Sequence, residues 1–331
     1  MGKNMPTMKD VAREAGVALG TVSRVFNGQA VGDDYRIRVE EAARRLGYQV
    51  NPLARGLKTN KTNIVAVMLP EMNHPYYAAL AEELTSALAK RDCHTMLFLS
   101  GHSYEHEQDC IRMVRQNKVD GIIGLTYNKV ELNGDIPFIS IDRHFSADIP
   151  CVASDNYGGG RIAAEVLISR GCKKMLCIRT GSNLPGETDK RCDGFMTGCN
   201  LLNVPCDILR LNYSPEDDMF REYFLPHIID GKLEYDGIFC STDYLLLQIS
   251  RVLESYGIQV PQDVQMIGFD GIRRFDTGEY YCSTVVQPVR AIAETCVDIL
   301  LKEDRDTIPS LVCLPVSYVD GCTTKAQEDH N

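Results

Sequence analysis

Several short apolar runs of this chain end in side chains suited to holding a polyhydroxylated small molecule. Ile64–Leu69 leads into PEMNHPYY, which carries Asn73, Tyr76 and Tyr77. Phe138–Ile141 leads into Asp142-Arg143, Gly237–Cys240 into Ser241-Thr242-Asp243, and Val264–Phe269 into Asp270. A helical stretch over 190–202 opens with Arg191 and Asp193. Carboxylates accept paired hydrogen bonds from vicinal hydroxyls, and arginine donates two in a planar fork. Tyr76, Tyr77 or Tyr213 would stack on the apolar face of a pyranose or furanose. Any one of these residues reads equally well as a helix cap or a surface ion pair. Four run ends converging on acid, amide and hydroxyl groups favour a sugar-like ligand.

A second chemistry is written at the amino terminus, in TMKDVAREAGVALGTVSRVFNG (residues 7–28). Thr7 and Asp10 have capping-box spacing, which predicts a helix from Met8 with Val11, Ala12 and Ala15 on its inner face. Gly16 suits a left-handed helix end. A second helix is expected over about Leu19–Phe26, burying Val22 and Val25 while Thr21, Ser23 and Arg24 stay polar, and Asn27-Gly28 closes it. This is helix-turn-helix patterning, with a second helix short enough for a DNA major groove. Alone, the pattern fits any helical hairpin. Here it continues: Asp33 and Asp34 suit a helix start, Ile37 or Val39, Ala42 or Ala43, and Leu46 recur at helical spacing, and Gly47 stops the run. After Tyr48 comes NPLARGLKTNKT, where Asn51 as N-cap and Pro52 at the first position predict a two-turn helix over Pro52–Lys58.

The charge distribution agrees. The 331 residues carry 35 Lys/Arg and 45 Asp/Glu, a net charge of −10. Residues 1–62 hold eleven basic against six acidic residues, whereas the remainder holds 24 against 39. A basic amino terminus on an acidic body points to a phosphate-bearing partner for the first part only. Thirteen cysteines, odd in number and without metal-type spacing, read as reduced core residues. No run approaches the roughly 20 apolar residues of a membrane span, and the polar first ten residues do not read as a signal peptide. A cytoplasmic protein is expected.

From Asn63 short apolar strands alternate with amphipathic helices: Tyr76–Arg91, Glu107–Asn117, Arg161–Arg170, Lys190–Leu202, a stretch near Asp217–Ile229, and Tyr244–Tyr256 lie between strands. Such alternation predicts parallel sheets covered on both faces. About 260 residues of it suit two doubly wound lobes better than one, with ligand bound beyond the C-terminal strand ends in a cleft between them.

Enzyme readings lack their motifs. No G-x-G-x-x-G follows the first strand, no G-x-x-x-x-G-K-[ST] occurs, and the seven histidines form no H-E-x-x-H. His102 and His106 would share a helix face, which is weak ground for a metal. No cofactor and no catalytic residue is expected.

The string KDVA..AGV..GTVSRV.NG … LGY..N..AR.L, in fixed order over about fifty residues, resembles the lactose-repressor (LacI/GalR) family of bacterial transcription regulators. The resemblance implies an all-α helix-turn-helix headpiece (1–50, motif about 8–27), a hinge helix and linker (51–61), an α/β periplasmic-binding-protein-like core of two doubly wound parallel-sheet lobes (62–322), and here a polar tail (323–331). It also implies base reading by Leu19, Gly20 and Arg24, with Arg24 pairing to guanine. Thr21, Ser23, Asn27 and Tyr48 are placed for the phosphate backbone, and Thr7 and Ala18 belong to the same DNA-binding set. Asn51, Ala54, Arg55, Leu57 and Lys58 fall in the hinge, where Leu57 matches the leucine that wedges into the minor groove. The family commonly has serine where Ala18 and Gly32 stand. For the core, Arg191 matches the arginine of the R-x-x-G-F motif (RCDGF), Asp270 the first aspartate of GFDD, and Asp142 the acid after the fourth strand. Thr242 replaces a common asparagine beside Asp243.

Together these imply a repressor acting as a homodimer on palindromic double-stranded operator DNA, switched by a small sugar or sugar phosphate. A corepressor-dependent regulator of the purine or phosphocarrier-protein type is the alternative, and a sugar receptor without DNA function is the less favoured one. The Asp142-Arg143 and SDNYGGGR segments look most like regulators of sucrose or ribose operons.

Overall fold

The computed structural model describes residues 6–49, 61–126, 128, 136–146, 148–181, 186–212, 215–305 and 307–326. The expected hinge residues Asn51, Ala54, Arg55, Leu57 and Lys58, and Tyr213, lie outside the described residues. The chain divides into two compact units, Met1–Thr62 and Asn63–Asn331.

The first unit has helices α1 (Met8–Ala15), α2 (Leu19–Phe26) and α3 (Asp33–Leu46). The capping box forms: the Asp10 carboxylate accepts from the Thr7 backbone N–H at 2.9 Å, and the Thr7 hydroxyl accepts from Asp10 N. Gly16 and Gly47 end α1 and α3 in the left-handed conformation, as only glycine does without steric cost. Val11, Ala12, Ala15, Val22, Val39, Ala42 and Ala43 form a small core flanked by Phe26, Leu46 and Tyr48. Of the sequence alternatives in α3, Val39 is inside while Ile37 is exposed. Arg38 ties the unit together by donating to the Ala15 and Gly16 carbonyls at 2.7 and 3.1 Å, satisfying the orphan acceptors that end α1. Neither Ala18 nor Gly32 provides a side-chain cap.

The second unit contains two six-stranded sheets. The first has order β13-β5-β4-β3-β1-β2, and the second β14-β12-β11-β10-β6-β7. In the first, β1 (Ile64–Leu69), β2 (His94–Leu99), β3 (Gly121–Gly124), β4 (Phe138–Ile141), β5 (Cys151–Ser154) and β13 (Leu311–Leu314) are parallel throughout. In the second, β6 (Met175–Thr180), β7 (Cys206–Leu211), β10 (Gly237–Cys240), β11 (Gln265–Asp270) and β12 (Thr284–Val286) are parallel, and β14 (Ser317–Val319) closes the edge antiparallel to β12. Helices α4 (Pro75–Ala89), α5 (Tyr104–Asn117) and α10 (Val289–Leu301) cover the first sheet; α6 (Asn156–Ser169), α7 (Lys190–Leu201), α8 (Asp217–Phe224) and α9 (Asp243–Ser255) cover the second. The central strands are buried along their length, Ile64 at the start of β1 being half-buried, which is why they read as apolar runs without alternation.

The described chain passes between the lobes three times: at Asp155 after β5, at Gln287–Pro288 after β12, and between β13 and β14. Helix α10 packs on α4 of the first lobe although it follows a strand of the second. The sequence pattern did not resolve these last four elements, because three are short strands at or beside sheet edges.

Four expectations need correction. Helix α6 starts at Asn156 rather than Arg161, because Asp155 caps it by accepting from Gly158 N at 2.8 Å. Its glycines are there for packing: a Cβ on Gly160 would lie 1.9 Å from the Arg191 carbonyl oxygen of α7, and one on Gly194 2.0 Å from that of Tyr157. The helix expected to reach Ile229 ends at Phe224. Pro226 cannot continue it, and Asp230-Gly231, both at positive φ, turn a two-stranded hairpin over β8 (Ile228–Ile229) and β9 (Lys232–Leu233). His102 precedes α5 at φ +60 and does not share its face with His106. Finally, the start of the polar tail is packed in: Thr323 and Thr324 are buried, and the Thr323 hydroxyl donates to the Met266 carbonyl at 2.7 Å.

All thirteen cysteines are free and nine are buried, as core residues would be. Among the described residues no group of His, Cys, Asp or Glu is arranged to hold a metal, and no helix is long and apolar enough to cross a membrane.

Candidate functional site

The two sheets of the second unit direct their C-terminal strand ends at a shared cleft with about 1130 Å³ of empty space, counted to its open mouth. In each sheet the strand order reverses beside the first strand of the lobe, between β1 and β3 and between β6 and β10, where open α/β sheets leave a crevice for ligand. The first lobe contributes His74 and Tyr76 after β1, Thr126 after β3, and Asp142 and Arg143 after β4. The second contributes Arg179 from β6, Arg191 from α7, Ser241 and Thr242 after β10, and Asp270 at the end of β11.

Arg191 is the organising cation. Its Nε donates to Asn156 Oδ1 at 2.7 Å, and Nη1 to the Ser241 carbonyl at 2.7 Å, with Asp270 Oδ1 at 3.5 Å. The guanidinium carbon lies 3.9 Å from the centroid of the Phe269 ring, a cation–π contact that holds the fork in plane. The close packing of α6 on α7 through Gly160 and Gly194 fixes the first turn of α7 against Asn156, and with it this geometry.

Two carboxylates face this cation from opposite lobes. Asp270 Oδ1 accepts from Gln287 Nε2 at 2.7 Å. Its Oδ2, and Oδ1 of Asp142, have no hydrogen-bond partner among the described residues, and both side chains are buried. Burial pushes the pKa of Asp142 up and that of Asp270 well above the usual carboxylate range, with Arg191 pulling both back. The hydroxyls of Tyr76 and Thr126 and Nδ1 of His74 are likewise buried and unpartnered. Burial holds the His74 pKa down to about 4, reinforced by the charges of Arg191 and His102, so the ring is neutral at physiological pH. It lies 4.6 Å from the Tyr77 ring and 5.7 Å from that of Tyr244. Buried polar atoms are almost always paired. Five unpaired ones lining one cleft mark hydrogen-bonding capacity reserved for a ligand or solvent.

Of the sequence-derived set, Tyr76, Asp142, Arg191, Thr242 and Asp270 line this cleft. Thr242 does so while its hydroxyl caps α9, accepting from Leu245 N at 3.2 Å. Asn73 does not line it and is exposed, because the loop after β1 turns out before α4 begins. Asp243 does not line it either. Its Oδ1 accepts from the Thr284 hydroxyl at 2.7 Å and its Oδ2 from Ile272 N at 2.7 Å, so it is a buried tie between α9 and the end of β11. Sequence reasoning passed over His74, Thr126, Arg179 and Asp189. The last two form an ion pair at 2.5 Å, and Arg179 ends a strand whose polar terminus was a visible signal.

On the first unit, α2 presents Leu19, Gly20, Arg24 and Asn27 to solvent, while Thr21 and Ser23 are half-buried. Asn27 Nδ2 donates to the Ser23 hydroxyl at 3.3 Å. Tyr48 is half-buried against Phe26, ring centroids 5.4 Å apart. Thr7 is committed to its capping box, and Ala18 is exposed at the helix start. Arg13, Arg36, Arg38 and Arg45 form ion pairs within the unit. Among the described residues of the unit, Lys9, Arg24 and Arg44 do not, which leaves Arg24 as a cation on the exposed side of α2.

Comparison with known proteins covers both units. Residues 7–51 match the model of the bacterial regulatory proteins of the lacI family, and residues 62–300 that of the periplasmic binding proteins and sugar binding domain of the LacI family. The chain is 32% identical over 323 residues to the sucrose operon repressor of Streptococcus mutans serotype c, covering 95% of this chain and 98% of that one. Among solved structures, a periplasmic binding protein/LacI transcriptional regulator from Alkaliphilus metalliredigens, complexed with D-xylulofuranose, matches with TM-score 0.69 and 25% identity over 80% of this chain and all of that one. The lac repressor dimer bound to operator and an anti-inducer shares the fold, with TM-score 0.79 and 20% identity over 97% of this chain and 99% of the other. With both units matched and a relative aligned almost end to end, the chain belongs to the LacI family of bacterial regulatory proteins.

Proposed function

We propose that this protein is a cytoplasmic transcriptional repressor that binds a palindromic operator as a homodimer and changes its grip when a sugar fills the cleft. The carrying observation is the cleft itself: a planar arginine, two carboxylates from opposite lobes, and unpaired hydroxyl and imidazole groups around one small-molecule volume. The helix-turn-helix unit supplies the DNA end, with Arg24 and Leu19 reading bases and Thr21, Ser23, Asn27 and Tyr48 setting register on phosphates. The segment with Asn51, Ala54, Arg55, Leu57 and Lys58 follows the sequence reading as a hinge, and residues 1–50, 51–61 and 62–322 as headpiece, hinge and core. Because ligand groups come from both lobes, a bound sugar stabilises the arrangement in which the lobes approach. Only this differential affinity shifts the DNA-binding equilibrium.

The test is fluorescence anisotropy of the full chain on operators selected from a palindromic library, at several salt concentrations, with sucrose, D-ribose and D-xylulose as candidate effectors. Specific binding that weakens with salt, and that one of the sugars loosens by at least about tenfold, equivalent to roughly 1.4 kcal/mol of coupling, is the expected result. Tightening by a sugar would reverse the sign of regulation. Absence of any preferred palindrome would refute the DNA-binding role.

A further inference from the structure

A sugar site can be built for a free sugar or for its phosphate ester, and the two demand opposite electrostatics. We infer that this cleft takes an uncharged sugar and discriminates against the phosphorylated one, an inference that rests on the sugar-site reading above. Among the described lining residues, the guanidinium groups are already engaged by the protein. Arg191 is bonded to Asn156 and the Ser241 carbonyl, lies beside Asp270 and is laid on Phe269. Arg179 is paired with Asp189, and Arg143, buried at the end of β4, is engaged as well. Among the described lining residues, four acids, Glu71, Asp142, Asp189 and Asp270, stand against these three guanidinium groups.

The unfilled capacity has the opposite character. It consists of one oxygen each of Asp142 and Asp270, the hydroxyls of Tyr76 and Thr126, and a nitrogen of His74. Carboxylate oxygens accept from sugar hydroxyls, and hydroxyl groups accept or donate as needed. None of these groups supplies positive charge: His74 is neutral, its pKa held near 4 by burial. Burial also pushes both carboxyls up, as expected where compensating cations are scarce. A phosphate dianion placed among these oxygens would meet two buried acids, each repelling it wherever ionised, in a medium that screens poorly. Of the Arg191 nitrogens, Nε and Nη1 are already bonded within the protein, which leaves Nη2 alone to meet such a group.

Isothermal titration calorimetry of the full-length protein decides this. The probes are sucrose, D-ribose, D-fructose and D-xylulose, each monosaccharide beside its terminal phosphate ester, and inorganic phosphate alone. At least one unphosphorylated sugar should bind, its phosphate ester should bind at least about tenfold more weakly, and inorganic phosphate should not compete. A charged hydrogen-bond partner of this kind accounts for a loss of that order. Asp142→Asn, checked for folding by far-ultraviolet circular dichroism, should narrow the gap between sugar and ester by removing one acid that repels the phosphate, and an unchanged gap counts against the inference. An ester that binds as tightly as its parent sugar, or more tightly, overturns the inference while leaving the sugar site standing. Failure of every sugar and ester to bind a protein that still binds operator refutes the sugar-site reading itself, and the inference with it.

Discussion

Asp142 and Asp270 end their strands at φ +57 and +131, in backbone conformations that side-chain-bearing residues rarely adopt. Aspartate tolerates the first of these, whereas the second carries strain of about 1–3 kcal/mol, of the kind found at functional sites. The Gln287 bond and the packed end of β11 hold Asp270 there, aiming a carboxylate where a relaxed strand would not. His74 shows the cost of building a site from buried groups. Its folded pKa of about 4 lies below the unfolded value near 6.5, so the unfolded chain binds a proton first as the solution is acidified. Stability is therefore unaffected above about pH 6.5 and falls between there and pH 4, by about 3 kcal/mol at most. Urea denaturation of wild type and His74→Gln across that range should show a shallower acid loss in the variant. Parallel curves would mean that His74 is not the responsible group.

At the level of elements, the weak point of the DNA-binding unit is the start of α2, where Ala18 leaves the first-turn N–H groups without a side-chain acceptor. Ala18→Ser should raise the stability of this unit by about 1 kcal/mol, read as a higher midpoint for its transition in thermal circular dichroism. An unchanged midpoint would show that the backbone already satisfies those donors. Elements of this sort were legible in the sequence because their signals are local: the Thr7/Asp10 box, Gly16 and Gly47 as stops, and the apolar runs of β1, β3, β4, β10 and β11. The site was legible where it sits at strand ends, which located Tyr76, Asp142, Thr242 and Asp270, and at the start of α7, which located Arg191. What escaped depends on contacts distant in sequence. Gly159 and Gly160 precede the expected helix start at Arg161, yet they lie inside α6, where Phe269 and the α7 backbone come too close for a Cβ. Asp243 reads as a ligand group until Thr284 and Ile272 are brought to it. Strands β12, β13 and β14 are three or four residues long and only partly buried, so they lack the fully buried apolar run that marks β3, β4 and β10.

For the whole molecule, the informative feature is where the chain passes between lobes. Ser154 donates to Gln287 Oε1 at 2.7 Å, Gln287 donates to Asp270 at 2.7 Å, and Asn156 donates to the Ser154 carbonyl at 3.0 Å while accepting from Arg191. Two of the three crossings are thus bonded both to each other and to the charged pair of the cleft. Gln287→Leu removes the donor to Asp270 and strands that carboxylate. Sugar binding by calorimetry should weaken by about tenfold or more, while operator affinity without sugar stays near wild type. An unaltered sugar affinity would count against any link between the crossings and the cleft.

The same threading has a consequence for how the protein is made. Each sheet receives an outermost strand, β13 or β14, from the stretch Leu311–Val319, so until the ribosome has released that stretch β5 and β12 present bare backbone edges. The DNA-binding unit, finished within the first 62 residues, can fold long before either lobe is sealed. A nascent or prematurely terminated chain would therefore carry a folded DNA-binding unit without a closed cleft. Timely release of Leu311–Val319 separates a regulator with both sheets sealed from one with bare, aggregation-prone edges.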